Sequence, residues 1–412
     1  MNHATSCIDQ WITPLRPTLP DLTDRHIARL ARLESDLTEI LAAAPVAGAP
    51  ASVRLLAVRH RLAERVRTDN HHSSSETGAT RAMANALAGF VCGFHDLDLR
   101  DAVGPGHGRM ILKHATEPTR RRWRTRLAGG DLVGIAATER HGGSRLQEIT
   151  TRATAKPGGG WWISGEKCWV SRLTESAAFV VFFKNPEHRI TAAVVEAQAP
   201  GLDRSPITPS GLAGWNWGTL ALTDVPVGGK DLLGGDGGGL EVFRQHFAAF
   251  RPLVAATALG TAASAHTQVA ATLTARAATG LLPRLRDTAL VTLGRTHAEI
   301  NAALLSAIAA MRLTASGSPH ADLWSREVKA HAVDTAHRAL QELPLLVGAG
   351  SFRADSALAK ARADVGGLLY ADGIHDSLLR SAGRTHTTPA PAEIPRLRLA
   401  ADAGNLRYPA PA

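Results

Sequence analysis

Cysteine is scarce in this chain: its 412 residues hold three, Cys7, Cys92 and Cys168, far apart and without a CxxC pair. Such spacing supports neither a disulfide framework nor a cysteine-based zinc site, so the three read as reduced thiols. Aromatic residues make up only 5%, which leaves few platforms for stacking nucleobases. No apolar run approaches the roughly 20 residues needed to cross a bilayer, and residues 1–15 lack the basic and apolar regions of a signal peptide. A cytoplasmic location without a membrane span is the matching expectation.

What is present is ordinary globular composition, 44% apolar and 20% charged. At this length the chain holds roughly two to three domains and can bury a core without staples. The formal net charge of +9 favours an acidic partner such as nucleic acid, coenzyme phosphates or an acidic carrier protein. The densest basic stretch, Arg120 to Arg126, follows Glu117-Pro118 as a helix opening does, and reads as a solvated helix face or a docking patch. No DNA- or RNA-binding signature accompanies it, which discounts nucleic acid.

The texture of the chain divides it. Residues 1–129 read as a helical domain: Leu22, Ile27, Leu30, Leu33, Leu37 and Leu41 recur at helical steps, Ala51 to Arg67 repeats the pattern, and the more apolar Arg81 to Phe94 suits a buried helix. Residues 130–239 form short β-rich runs, among them Gly134–Ala137, Trp161–Ser164, Ala177–Phe183, Thr191–Val195 and Leu220–Thr223. Helical texture returns over 240–386, with a last helix near Asp372 to Gly383, and a Pro-rich tail occupies 387–412. Gly234 to Gly239 is a turn into a helix, since no βαβ unit surrounds it.

Two stretches carry chemistry. Gly134 to Ser144 (GIAATERHGGS) is a strand running into a Gly-rich loop with hydroxyls on Thr138 and Ser144, where backbone N–H groups can approach an anion or heterocycle. Ile163 to Ser171 (ISGEKCWVS) is a hairpin ending in an aromatic and a hydroxyl. In this order and spacing they resemble the T-E-P-x-x-G-S-D loop and G-x-K-x-W-I-T hairpin of the acyl-CoA dehydrogenase family. The resemblance continues through Asp224-Val225-Pro226-Val227, Arg251-Pro252-Leu253-Val254-Ala255-Ala256, Arg276-Ala277-Ala278-Thr279-Gly280, Val347-Gly348-Ala349-Gly350 and Tyr370-Ala371-Asp372-Gly373. It implies an α+β multidomain fold with a helical N-terminal domain, a middle β-barrel or sandwich, and a C-terminal four-helix bundle.

The resemblance also implies FAD as cofactor and an acyl thioester, on CoA or on an acyl-carrier protein, as substrate. The backbone of Ala136 and Ala137 together with Thr138 would contact the flavin ring, flanked by Trp169, Val170 and Ser171. Ser144 would lie on the phosphate or thioester side, Arg251 at the substrate, Gly348, Ala349 and Gly350 along the adenosine half, and Gly373 beside the cofactor. Arg276 would reach the pyrophosphate of a neighbouring subunit, which implies a homodimer or homotetramer, and electrons would leave to a flavin electron acceptor.

The family's proton-accepting Glu stands either before the Arg of the R-x-x-(I/V)-A-A helix, a place taken here by Phe250, or before the Gly of Y-E-G-T. Matching Tyr370 puts Ala371 there, whereas matching the acidic residue and Gly puts Asp372 there. Asp372 is preferred, because a carboxylate beside a desolvated thioester can serve as general base, although Asp also suits a helix N-cap. Asp is roughly 1.5 Å shorter in reach than Glu. Asp376, His375 and Asp364 are the fallback candidates. Arg140, Arg145, Thr279 and Asp287 depart from the family pattern, the first two by adding positive charge around the loop. Alternatives to α,β-dehydrogenation are a flavin monooxygenase or oxidase on the same scaffold, or a non-catalytic family member.

Overall fold

The computed structural model describes residues 6–68, 76–143, 145–282 and 284–387, so Ser144 and all but the first residue of the Pro-rich tail lie outside it. The N-terminal third folds into helices α1 (Asp24–Ala42), α2 (Ala51–Thr68), α3 (Gly78–His95), α4 (Arg109–His114) and α5 (Glu117–Ala128). α3 starts where the Thr77 hydroxyl accepts the backbone N–H of Thr80 at 3.1 Å, a side-chain cap for an otherwise unpaired donor. With Ala82, Met83, Ala86, Leu87, Phe90 and Val91 all buried, α3 is a core helix.

The middle segment carries β1 (Leu132–Ala136), β2 (Arg152–Ala155), β3 (Trp161–Val170), β4 (Ser176–Lys184), β5 (Ile190–Glu196), β6 (Leu202–Pro206), β7 (Gly218–Val227) and β8 (Leu232–Leu233). Among the described residues these form one eight-stranded sheet ordered β6-β7-β3-β2-β4-β5-β8, with β1 parallel to β4. β4 is buried on both faces, and its alternation assigns the two sides. Ala178, Val180 and Phe182 pack with Met110, Ile111 and Trp123 from α4 and α5. Phe179, Val181 and Phe183 pack with Ile163, Leu220, Leu222 and Val225 from β3 and β7. The two halves of the sheet therefore face each other as a sandwich, joined by the single parallel pair Arg152 and Lys184. The strands β2, β6 and β8 escape periodicity reading because they are short and two of them are polar.

The C-terminal segment is α6 (Gly239–Ala278), α7 (Asp287–Ala315), α8 (Ala321–Val347), α9 (Ala357–Gly367) and α10 (His375–Thr387). α6, α7 and α8 form the bundle, α3 packs on α6 and α7, and α9 and α10 lie against α8. α7 is long and apolar enough to cross a membrane by length and composition. Its Ile300, Ala303, Leu304, Ala307 and Ile308 are buried in the bundle, which accounts for that apolarity as core packing. The helices on either side of the sheet share one hydrophobic core, running from Cys7 through Phe90 and Leu259 to Leu368.

That shared core depends on a close approach of α3 to α6. A Cβ at Gly93 would stand 2.0 Å from the Thr257 carbonyl oxygen, and one at Gly260 would stand 2.0 Å from that of Phe90. Glycine on each helix lets the backbones meet. Gly93→Ala is expected to lower unfolding stability by about 1–3 kcal/mol through forced separation of the helices, and the midpoint of a urea titration measures it; an unchanged midpoint would refute the close-packing account.

Candidate active site

The Gly-rich loop and the hairpin meet through a buried charge pair. Glu139, 3% exposed, accepts from Lys167 Nζ at 2.8 Å, from the backbone N–H of Thr150 and Thr151 at 2.6 and 3.0 Å, and from both threonine hydroxyls at 2.7 and 2.6 Å. Burial opposes the charge on Glu139, but the bonds from Lys167 and Thr151 prevail and hold its carboxyl at about 2. Burial also pulls the Lys167 ammonium down to about 8 in spite of its partner. Next to this pair Cys168 N–H donates to the Thr138 carbonyl at 3.0 Å, so the loop and hairpin register is set. Gly143 folds back on Thr138, and Arg140 and Arg145 point to the surface, paired with Glu166 at 2.7 Å and Glu148 at 3.1 Å. The extra positive charge around the loop is thus neutralised locally.

An irregularity in the pairing of β3 with β7 between Lys167 and Val170 turns Trp169 outward, with φ of 55° and 53% exposure. Val170 is buried in the sandwich core and Ser171 is buried beside it, so any contact of Val170 with a cofactor is through its backbone. Ala136 is buried, whereas Ala137 and Thr138 are half-buried.

From Trp169 a chain of contacts runs inward. Trp217 lies edge-on at 6.2 Å, Trp215 stacks on Trp217 at 5.8 Å, and the Arg100 guanidinium lies 3.7 Å over Trp215. Arg100 Nη1 then donates to Asp372 Oδ2 at 2.7 Å, the carboxylate being 8% exposed. Asp372 has φ of 56° and lies outside α10, so it is an inward-facing carboxylate and not that helix's N-cap. Trp215, Trp217 and Arg100 were not evident as site residues from sequence; the aromatic Gly214-Trp215-Asn216-Trp217-Gly218 in an aromatic-poor chain was the available signal.

Arg100 also grips Asp101 with Nε and Nη2 at 3.2 and 2.9 Å, and Arg172 Nε donates to Asp101 at 2.8 Å. Burial resists ionisation of Asp101, but the two guanidinium groups hold its carboxyl far below the ordinary range. Beside them His107 Nδ1 and His246 Nε2 stand 2.9 Å apart, and both rings pack on Phe250 at 4.6 and 5.0 Å. Arg251 Nε donates to the Asp372 carbonyl at 3.4 Å, with Asp322 at 3.7 Å from its Nη1, and burial lowers this guanidinium to about 10. The fallback candidates lie elsewhere in function: His375 pairs with Asp334 at 3.2 Å, Asp364 binds Lys360 and the Leu212 N–H at 2.6 and 2.7 Å, and Asp376 is exposed.

A second group forms where α6 and α8 end. Arg276 Nη2 donates to the Val347 carbonyl at 3.0 Å, directly before exposed Gly348, Ala349 and Gly350. Gly348 adopts φ 82° and ψ −164°, a conformation open to glycine, and no atom stands within 4 Å of a Cβ built there or at Gly350. The backbone of this loop is open to a ligand.

Residues 134–225 match the family described as acyl-CoA dehydrogenase, middle domain, and residues 237–385 match acyl-CoA dehydrogenase, C-terminal domain, together more than half of the chain. The chain belongs to the acyl-CoA dehydrogenase family. A probable acyl-CoA dehydrogenase of Bacillus subtilis, YngJ, is 30% identical over 191 residues, 45% of this chain and 50% of that protein. The chain spans about half the length of this curated relative. The solved acyl-CoA dehydrogenase of Geobacillus kaustophilus shares the fold with a TM-score of 0.76 at 20% identity, covering 89% of this chain and 99% of the other. The prolyl acyl carrier protein oxidase AnaB does so with 0.71 at 18%, covering 89% and 100%.

Members of the acyl-CoA dehydrogenase family depend on FAD, and the residues present here fit it. Exposed Trp169 and half-buried Thr138 would present an aromatic face and a hydroxyl to the flavin, and the open Gly348–Gly350 backbone would take the adenosine part, with Arg276 reaching the pyrophosphate of a neighbouring subunit's cofactor.

The histidine pair gives the acyl-CoA dehydrogenase fold of this chain an acid limit. Burial first, then the nearby Arg100 charge, lowers His107 from 6.5 to about 4, and burial lowers His246 well below its usual value. The unfolded chain takes up a proton at His107 below pH 6.5, while the folded chain does not until about pH 4. The stabilising share of neutral His107 is therefore complete above pH 6.5 and falls as pH drops to 4, by up to about 1.4 kcal/mol per pH unit. His107→Phe is expected to flatten the pH dependence of the urea midpoint across that window; an unaltered slope would contradict the assignment.

Proposed function

We propose that this chain is an FAD-dependent enzyme that oxidises an acyl thioester by α,β-dehydrogenation. The observation that carries this reading is the buried Asp372 carboxylate, linked to the outward Trp169 through Trp217, Trp215 and Arg100. Bound FAD supplies the two-electron acceptor for the β-hydrogen and its electron pair. Asp372 takes the α-proton. Arg100 occupies Oδ2, and among the described residues no hydrogen bond reaches Oδ1, the oxygen left to receive that proton. Arg251, held beside Asp372 by α6, would supply a cation to the negative charge that the thioester carbonyl gains as the proton leaves.

Asp372→Asn preserves the acceptor for Arg100 but not the base. It is expected to retain the flavin spectrum and to slow anaerobic bleaching by an acyl thioester by about 10²–10⁴-fold. Bleaching at the original rate would remove Asp372 from the mechanism, and a flavin that no thioester bleaches would turn the reading toward oxygen chemistry on the same scaffold.

Within this reading the acyl group rides on a carrier protein. Two observations support it: the fold shared with a prolyl acyl carrier protein oxidase, and the +9 charge with Arg121, Arg122 and Arg124 exposed along α5, which suits an acidic partner. The same acyl group offered on carrier protein is expected to react faster than on CoA, and the advantage is expected to shrink at high salt. Equal or faster reaction of the CoA thioester would overturn it. The working unit in this reading is a homo-oligomer, supported by Leu281, Leu345 and Phe352, each about three-quarters exposed at the Arg276 end of the bundle. A flavin electron acceptor completes the turnover.

A further inference from the structure

Asp372 and Gly373 stand in the link 368–374 between α9 and α10, and a loop holds a side chain less firmly than a helix or strand does. Both residues are left-handed, with φ of 56° and 112°. Backbone bonds within the link, Ala371 N–H to Gly367 at 3.1 Å and His375 N–H to Leu369 at 2.9 Å, shape it without touching the carbonyls of Leu368 or Gly373.

Those two carbonyls have another partner. Lys329, in the first third of α8 and 0% exposed, donates from Nζ to Leu368 O at 2.6 Å and to Gly373 O at 2.7 Å. Burial lowers its ammonium to about 8, against the attraction of the Asp372 and Asp334 carboxylates, neither of which forms an ion pair with it among the described residues. A lysine buried whole in a core helix must have its donors met, and the hydrogen bonds it makes are those to the two carbonyls. They pin the start of the link and the residue after Asp372 to one point on α8. Arg100 from the N-terminal segment then takes the carboxylate, and Arg251 from α6 takes the carbonyl of the same residue.

We infer that Lys329 is a positioning residue that sets the Asp372 carboxylate by stapling Leu368 O and Gly373 O. The inference rests on Asp372 being the base. It also answers a need created by the sequence: a carboxylate one methylene shorter than Glu depends on its backbone for reach, and misplacement by about 1 Å costs on the order of a hundredfold in rate.

The test uses Lys329→Met, which keeps the apolar stem and removes the donors, in the FAD-loaded full chain. Expected are an intact flavin spectrum, unchanged affinity for a non-oxidisable thioester analogue, and flavin reduction slowed on the order of 10- to 100-fold. Hydrogen exchange is expected to rise across 368–374 alone. In an Asp372→Asn background the same change is expected to slow the residual reaction less than about twofold, because a residue acting through Asp372 has nothing left to position. Wild-type reduction by Lys329→Met, or an equal loss with and without Asp372, would overturn the inference. If Asp372→Asn alone leaves reduction intact, the base assignment fails separately, and unchanged exchange at 368–374 in Lys329→Met would then dispose of the staple. Lys329→Gln, which keeps an amide donor, serves where the Met variant does not load FAD, and is expected to fall between the two.

Discussion

Arg100 is the point on which the site depends. Its guanidinium is buried, stacked on Trp215, bidentate to Asp101 and bonded to Asp372. A buried guanidinium is stable only if its donors are met and its charge is balanced, and removing one partner of such a pair costs several kcal/mol. Every element that meets Arg100 is therefore held to one arrangement. The turn carrying Asp372 must face inward, Asp101 must turn toward both Arg100 and Arg172, and the tryptophan segment must lie flat over the cation.

The same logic recurs in the β sandwich at smaller scale. Glu139 and Lys167 sit in the loop and the hairpin, and neither can be buried charged without the other. Five bonds onto one carboxylate lock the two segments that present Thr138 and Trp169. Charge pairing around Asp372 and charge pairing under the hairpin thus fix both ends of the contact chain from Trp169 to Asp372. The sheet supplies the aromatic face, and the link between α9 and α10 supplies the carboxylate.

Much of this was legible beforehand for a physical reason. Gly134–Ser144 and Ile163–Ser171 are contiguous motifs whose chemistry depends on neighbours in sequence, and helical periodicity marks α1 and α2 because amphipathic packing is a local property. Order along the chain marks Arg276 and Gly348 to Gly350, and the fold bonds Arg276 to the carbonyl of Val347, the residue just before Gly348. Asp372 could be read from its place before Gly373, but whether its carboxylate capped α10 or faced the interior was open.

The sequence by itself determined the order of helical, β and helical segments, the family, and the two loop motifs, since each is written in residues close along the chain. Tertiary structure alone decided what holds the candidate base. Arg100, Trp215, Arg251, Lys329 and Asp372 are separated by tens to hundreds of positions, and none has a local pattern that marks it as a partner of the others. Their relation comes from burial, because only once water is excluded must each cation find its anion or carbonyl.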